Sequence, residues 1–428
     1  MLTGLYPHNH GLTENDGRFG GRGELNERDV LFTEAFRREG YRCGWFGKWH
    51  LSHNQSARVF GFEGWSLPGY GYPYGTPEYA DYLQRKELPD PIVSVELPGE
   101  SRTPATTHIN LRTQSDWFDY EAGTAVLKAP AETHEAYFLT HMAGEWLQNL
   151  DKDERFFLRV DPWGPHPPYI VPKNHQALFD KKASPVSPNL TYDLNNRPSH
   201  HRDYRDYWQN ALPKEALDHR LMARRALGQA QVIEMALVGL VNKLTELGLL
   251  DDTVIVFTAD HGDAVGSNGG TLNKGGLMVE ETMRIPMYIS GAGIQAGKTH
   301  CEPVANIDLA PTLAELCGVH SEPGDGESLL PLMNGGCLSR PGLMAEHYGL
   351  HEHLPQRAWY EGDWKLILQA DRFAELYNLA EDPAEMLNHA DDPAHRDRMT
   401  LMHRNLIAEM NRTNDIDQRV SAIRTFRT

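Results

Sequence analysis

Six side chains of the kinds that handle anions and metal ions fall into four short clusters. Lys48 and His50 stand in Gly47-Lys-Trp-His50, and His166 in Asp161-Pro-Trp-Gly-Pro-His-Pro-Pro168. Asp260 and His261 open Asp260-His-Gly-Asp263, and Lys274 sits in Asn273-Lys-Gly275. A carboxylate beside an imidazole, with a glycine that permits a sharp turn, can hold a metal ion. Each lysine can set a point charge against an anionic group. An imidazole titrates near neutrality and can act as a general acid or an anion donor. Taken singly, each residue has an ordinary structural alternative. A lone lysine is usually a surface residue, a lone histidine a hydrogen-bonded structural one, and an Asp after a strand a helix cap.

Position along the chain links the clusters. Arg42 to Phe46 and Phe156 to Val160 read as strands that end at Lys48/His50 and at the His166 turn. Thr253 to Thr258 reads as a buried parallel strand that ends at Asp260. In open α/β sheets ligands bind at the carboxyl ends of strands, so three distant segments would deliver these groups to one rim. Helical spacing predicts helices over Asn26 to Glu39, Glu132 to Leu150, Leu221 to Leu249 and Leu309 to Leu316, and Ile285 to Ser290 reads as a further strand. This alternation predicts an α/β protein with a large, mostly parallel sheet covered on both faces. After about residue 336 the texture changes: Arg357 to Leu368 and Ala374 to Leu379 suggest antiparallel strands, and Arg396 to Met410 a closing helix. The expected division is therefore 1–335 and a smaller C-terminal antiparallel subdomain, 336–428. Residues 65–124 and 172–213 have weak periodicity; the first reads as a surface excursion, and both as shapers of a pocket.

Composition bounds the function. The 428 residues carry 41 Lys plus Arg against 59 Asp plus Glu, a net charge of −18, which makes the chain a poor general nucleic-acid binder. No apolar run approaches a membrane span. The four cysteines, Cys43, Cys301, Cys317 and Cys337, form no CxxC pair. Gly17 to Gly23 lacks the ending of a phosphate loop, and sequons at Asn54, Asn189 and Asn411 matter only in a secreted eukaryotic setting. His347, His351 and His353 could hold zinc on a helix, but Gly349 and Pro355 argue for a loop near the rim.

Taken together the motifs resemble the sulfatase family of the alkaline phosphatase superfamily. Leu2-Thr-Gly-Leu-Tyr-Pro-His-Asn-His-Gly11 resembles the segment after that family's nucleophile motif, Gly47-Lys-Trp-His-Leu51 its GKWHLG, and Pro165-His-Pro-Pro-Tyr169 its PHxPY. Thr258 to Asp263, Asn273-Lys-Gly275 and Glu281 to Pro286 are similar to its (S/T)DHGD…KG…ETxRIP stretch, and Glu375 to Pro383 to its ELYDLxxDPxE. The resemblance implies an alkaline-phosphatase-like α/β sandwich with a smaller C-terminal sheet. It implies hydrolysis of a small-molecule or carbohydrate sulfate ester by a formylglycine beside a divalent ion. On it, Asp260 and His261 are metal ligands, Lys48 and Lys274 hold sulfate and leaving-group oxygens, His166 assists the leaving group, and His50 helps break down the sulfated intermediate. A phosphodiesterase or phosphonate monoester hydrolase of the same superfamily is the near alternative, and a non-catalytic binding fragment the distant one. The pattern departs from the family at its start. The CxPSR-type motif that supplies the formylglycine, two metal-ligand aspartates and a central first strand would all precede Met1. The expectation is an N-terminally truncated, inactive chain with exposed strand edges. Its compartment is open, since any export signal would lie upstream of Met1. His261, where many relatives carry Asn, favours calcium with manganese as the alternative.

Overall fold

The computed structural model describes the chain except residues 16, 18, 98–107, 115–122, 176–185, 213–216, 351, 372, 418–419 and 421–428. The parallel part of the protein is a three-stranded sheet in the order β2 (Glu63–Leu67), β1 (Arg42–Lys48), β6 (Phe156–Asp161). Lys48 pairs with Leu67, and Gly47 with Asp161, so the three strands end on a common rim. Alternation along β1 commits one side chain to each face in turn. Cys43 and Trp45 pack with Phe36 of the Thr33–Arg38 helix and Ala310 and Ala314 of the Leu309–Leu316 helix. Phe46 packs on the opposite face with Phe138 and Trp146 of the Glu135–Gln148 helix. Both faces of the sheet are thus covered by helices. The long His219–Glu246 helix backs the second of them, adding Leu240 and Leu244 to that core.

A mixed sheet runs in the order β4 (His108–Asn110), β3 (Ile92–Leu97), β5 (Thr124–Leu127), β7 (Tyr169–Pro172), and its strands β3 and β4 lie in the region read as a surface excursion. That reading is corrected by the structure: Tyr74, Tyr79, Tyr82, Val93, Ile109 and Leu111 are core residues. The tyrosines bury their rings because their hydroxyls reach carbonyls, Tyr79 that of Thr133 at 2.5 Å and Tyr82 that of Glu132 at 2.7 Å. The strand at Thr253 to Thr258 is also corrected. β8 (Val254–Thr258) pairs antiparallel with β9 (Met287–Gly291), and among the described residues it has no other ladder. Its apolar run reads as buried, yet Phe257 is 47% exposed and Tyr288 beside it 68%. The helix predicted from Asn26 begins only at Thr33, because Asp29 accepts from the Asn26 N–H and from Arg22 and holds the preceding segment as a turn.

A four-stranded antiparallel sheet, β10 (Leu343–His347), β11 (Gln356–Glu361), β12 (Trp364–Gln369) and β13 (Ala374–Asn378), forms the C-terminal layer. The Arg396–Arg412 helix covers one face through Met399, Met402, Leu406 and Met410. The other face, through Ala358, Ile367 and Tyr377, packs on Met278, four residues after Lys274. The buried Arg197 guanidinium ties this sheet to the rest of the chain, bonding Glu375 at 2.9 Å, the Tyr377 hydroxyl at 2.8 Å and the Glu385 carbonyl at 2.7 Å. No helix among the described residues is long and apolar enough to cross a membrane.

Candidate active site

The rim receives Lys48, His50, His166, Asp260 and His261 from the ends of strands, and Lys274 from the segment between two short helices. Gly47 makes the close approach of β1 to β6 possible. Its φ is +123°, and a Cβ there would lie 2.1 Å from the Asp161 carbonyl oxygen, so only glycine lets Lys48 leave the strand at this point. His50 follows with a left-handed φ of 46°, its ring edge-on to that of Tyr70 at 4.0 Å. Tyr70, three residues beyond the end of β2, also carries the Lys48 ammonium over its ring at 4.6 Å.

His166 is the hub. Its Nδ1 lies 2.7 Å from the carbonyl oxygen of Pro167, which fixes the proton on that nitrogen. Its Nε2 is then an acceptor, 2.8 Å from Lys274 Nζ and 3.2 Å from the Tyr70 hydroxyl. Burial and the Lys274 and Lys48 ammonium groups push the imidazole down to about 2, so it is neutral. His50 is pushed down to about 3 by burial first and then by the same two lysines. Lys274 is held by a backbone that only glycine permits next to it. Gly275 has φ +42°, and a Cβ there would meet the Tyr204 ring at 2.2 Å.

Asp260 and His261 leave the end of β8. The His261 Nδ1 lies 2.7 Å from the Gly262 carbonyl, and its Nε2 faces Asp260 Oδ2 at 3.4 Å. With the proton on Nδ1, two lone-pair donors point at one another across a gap suited to a shared cation. For Asp260, burial opposes ionisation, but His261, Lys48 and Lys274 outweigh it and hold the carboxyl below its ordinary value. For His261, burial dominates and the net direction is down, toward a neutral, ligating imidazole. This pair suits part of a divalent ion's shell; further ligands would have to complete it.

All six residues named from the sequence are therefore described, and contacts or electrostatic coupling join them to one another, His50 through Tyr70 and the two lysines. Two further residues bear on the site without any sequence signal. Tyr70 bridges Lys48, His50 and His166. Glu135, fully buried at the start of its helix, accepts the Gly164 N–H at 3.3 Å and so supports the turn that carries His166. Of the second histidine group, His347 and His353 are described. His347 ends β10 and accepts the Gly349 N–H at 2.9 Å, His353 lies against Phe19, and His351 is outside the described residues. Cys43 is buried at 3% exposure, its thiol pushed up to about 12 by burial, and is no nucleophile.

Comparison with known proteins bears on the same residues. The family model described as Sulfatase matches residues 1–319, and one described as N-sulphoglucosamine sulphohydrolase, C-terminal, matches residues 270–412. A choline-sulfatase of Rhizobium meliloti (strain 1021) is 29% identical over 289 residues, which are 63% of this chain and 55% of that protein. The chain thus spans about half the length of that relative. Among solved structures, BT4656 in complex with its substrate D-glucosamine-2-N,6-O-disulfate superposes with a TM-score of 0.71 at 21% identity, covering 98% of this chain and 88% of that one. The phosphonate monoester hydrolase of Agrobacterium radiobacter gives 0.72 at 21% identity, covering 98% and 86%.

Proposed function

The chain belongs to the sulfatase family, and from that membership we propose that its rim binds the sulfate group of a small-molecule or carbohydrate sulfate monoester for hydrolysis. One observation carries the reading: Lys274 and Lys48 meet around the neutral His166 and the Tyr70 hydroxyl, in a chain whose net charge is −18. A local pair of ammonium groups in an acidic protein is a receptor for an anion, and hydrogen-bond donors aimed at developing negative charge are the usual main source of rate in such displacements. Lys48 and Lys274 hold non-bridging and leaving oxygens. His166, by accepting from Lys274 at Nε2, aims that ammonium, whose remaining N–H groups can donate to the leaving oxygen. His50, kept neutral, is suited to accept a proton during breakdown of a sulfated intermediate.

Asp260 and His261 are the residues that would hold a divalent ion, calcium with manganese as the alternative. When bound, such an ion neutralises charge on the ester oxygens. A formylglycine would be made from a Cys or Ser in a CxPSR-type motif, and residues 1–428 contain none. We therefore propose that the 428-residue chain alone binds sulfate but turns over no ester. The test compares this chain with the same chain extended by a CxPSR-type segment taken from a family relative, using an aryl sulfate and an aryl phosphate diester. Turnover of the sulfate by the extended protein only is the expected result. Turnover by the 428-residue chain would overturn the nucleophile assignment. Preference for the diester would move the reading to phosphonate or phosphodiester hydrolysis, for which the same cations are suited.

A further inference from the structure

The chain between β13 and the Arg396–Arg412 helix brings three ligand-type side chains to one point. His389 is fastened to the sheet, its N–H donating to the Leu376 carbonyl at 2.8 Å. Asp392 starts the short Pro393–His395 turn. Its N–H donates to the His389 carbonyl at 3.0 Å, its Oδ1 accepts the Ala394 N–H at 2.9 Å, and the His395 N–H returns to the Asp392 carbonyl at 3.0 Å. With Oδ1 committed to that cap, Oδ2 faces both imidazoles, 3.9 Å from His389 Nδ1 and 3.9 Å from His395 Nε2. The two rings are 4.5 Å apart, and both lie beside the Trp364 ring. One nitrogen from each ring and the carboxylate oxygen all fall within 4.8 Å of one another.

The other such group among the described residues, His8 with Glu346 and Asp415, provides the contrast. There both ring nitrogens are spent, Nδ1 on Glu346 at 2.5 Å and Nε2 on the Thr413 carbonyl at 2.9 Å, while Asp415 is bound to Arg357. Near Asp392, among the described residues, no hydrogen bond of that kind occupies the facing donor atoms. Ligand atoms bound at roughly 2.0–2.2 Å sit roughly 3–3.5 Å apart around a tetrahedral ion, so small rotations of these partly exposed side chains close the site. Two imidazoles disfavour calcium and magnesium and select zinc and its transition-metal neighbours.

We propose that His389, Asp392 and His395 bind a zinc ion, with water in the remaining positions, clasping the exit of β13 to the start of the last helix. The proposal is independent of the activity at the rim. The test is zinc titration of the 428-residue protein by calorimetry near neutral pH, beside a His389→Ala/His395→Ala double variant and Asp392→Asn, which retains the Oδ1 cap. The parent is expected to bind one zinc equivalent more than the double variant, and Asp392→Asn to bind that equivalent about tenfold or more weakly. Zinc should also raise the parent's Tm by more than the double variant's. Equal stoichiometry and affinity in the parent and double variant, or no zinc uptake by the parent, overturns the proposal.

Discussion

Replacing Glu135 by Gln tests whether the floor of the His166 turn is a buried carboxylic acid. Glu135 is 2% exposed, and among the described residues no cation lowers its value; burial pushes its carboxyl up to about 8, and the backbone N–H groups of Gly164 and Trp163 only partly offset this. A raised carboxyl value means that the native chain keeps a proton the unfolded chain gives up. The associated stability is full below the unfolded value of 4.5, is lost as pH rises toward about 8, and is flat above that. The separation of the two values corresponds to roughly 5 kcal/mol. Glutamine has the same shape, still accepts the Gly164 N–H, and has nothing to ionise. Urea unfolding of parent and Glu135→Gln, at half-unit pH steps and fixed ionic strength, should therefore give equal stabilities near pH 4.5. The variant should then gain on the parent by up to ~1.4 kcal/mol per pH unit until about pH 8. Taking the difference cancels the other titrating groups, among them buried His134, pushed down to about 3 by burial. A difference that stays flat within about 0.5 kcal/mol from pH 4.5 to 8 refutes the buried acid.

Other expectations follow from the same contacts. Lys274→Ala should weaken inorganic sulfate binding about tenfold or more, the loss of one charge-assisted hydrogen bond, measured by calorimetry at fixed ionic strength; unchanged affinity removes Lys274 from the receptor. Gly275→Ala should destabilise by about 2 kcal/mol or more, since the new methyl meets the Tyr204 ring from a left-handed backbone, and a Tm within 1–2 °C of the parent would contradict that packing. Arg197→Ala strips the shared cation from Glu375 and Glu385 and should cost about 3–5 kcal/mol in denaturant unfolding. Phe257→Lys with Tyr288→Lys should reduce concentration-dependent self-association, followed by light scattering, because these rings are the exposed apolar surface of a two-stranded unit; equal association in the variant would locate the adhesive surface elsewhere.

The strand-end clusters were legible because a short apolar run followed by Lys, His or Asp is a local pattern; β1 and β6, being parallel, put theirs on one rim, whereas β8 lies outside that sheet. Lys48, His166 and Asp260 needed no long-range information to be singled out. Tyr70 did: it sits among tyrosines, glycines and prolines in which Tyr72 and Tyr74 read no differently, and only the fold turns it toward His166 rather than into the core. The same stretch was misread as surface because tyrosine hides how much ring it can bury once its hydroxyl finds a carbonyl. Glu135 was missed for the converse reason, since an acidic side chain at a helix start reads as a solvated residue favourable to the helix dipole. The orientation of β8 was beyond reach because an apolar run specifies burial and not the direction of its partner.

His166 and His261 share a device that explains why imidazoles can serve beside two lysines. In each, Nδ1 lies 2.7 Å from the carbonyl oxygen of the next residue, so the backbone itself dictates the tautomer. The Nε2 lone pair of each is thereby presented to the rim, one to the Lys274 ammonium and the other across from the Asp260 carboxylate. Burial first, and then the Lys48 and Lys274 ammonium groups, hold both rings neutral. The chain thus separates two tasks that a histidine could otherwise confuse: the ammonium groups supply charge to the anion, and the imidazoles supply direction. The sulfate ester proposed as substrate would gain from that division, because its charge is spread over several oxygens and needs cations fixed in place more than it needs one strong acid.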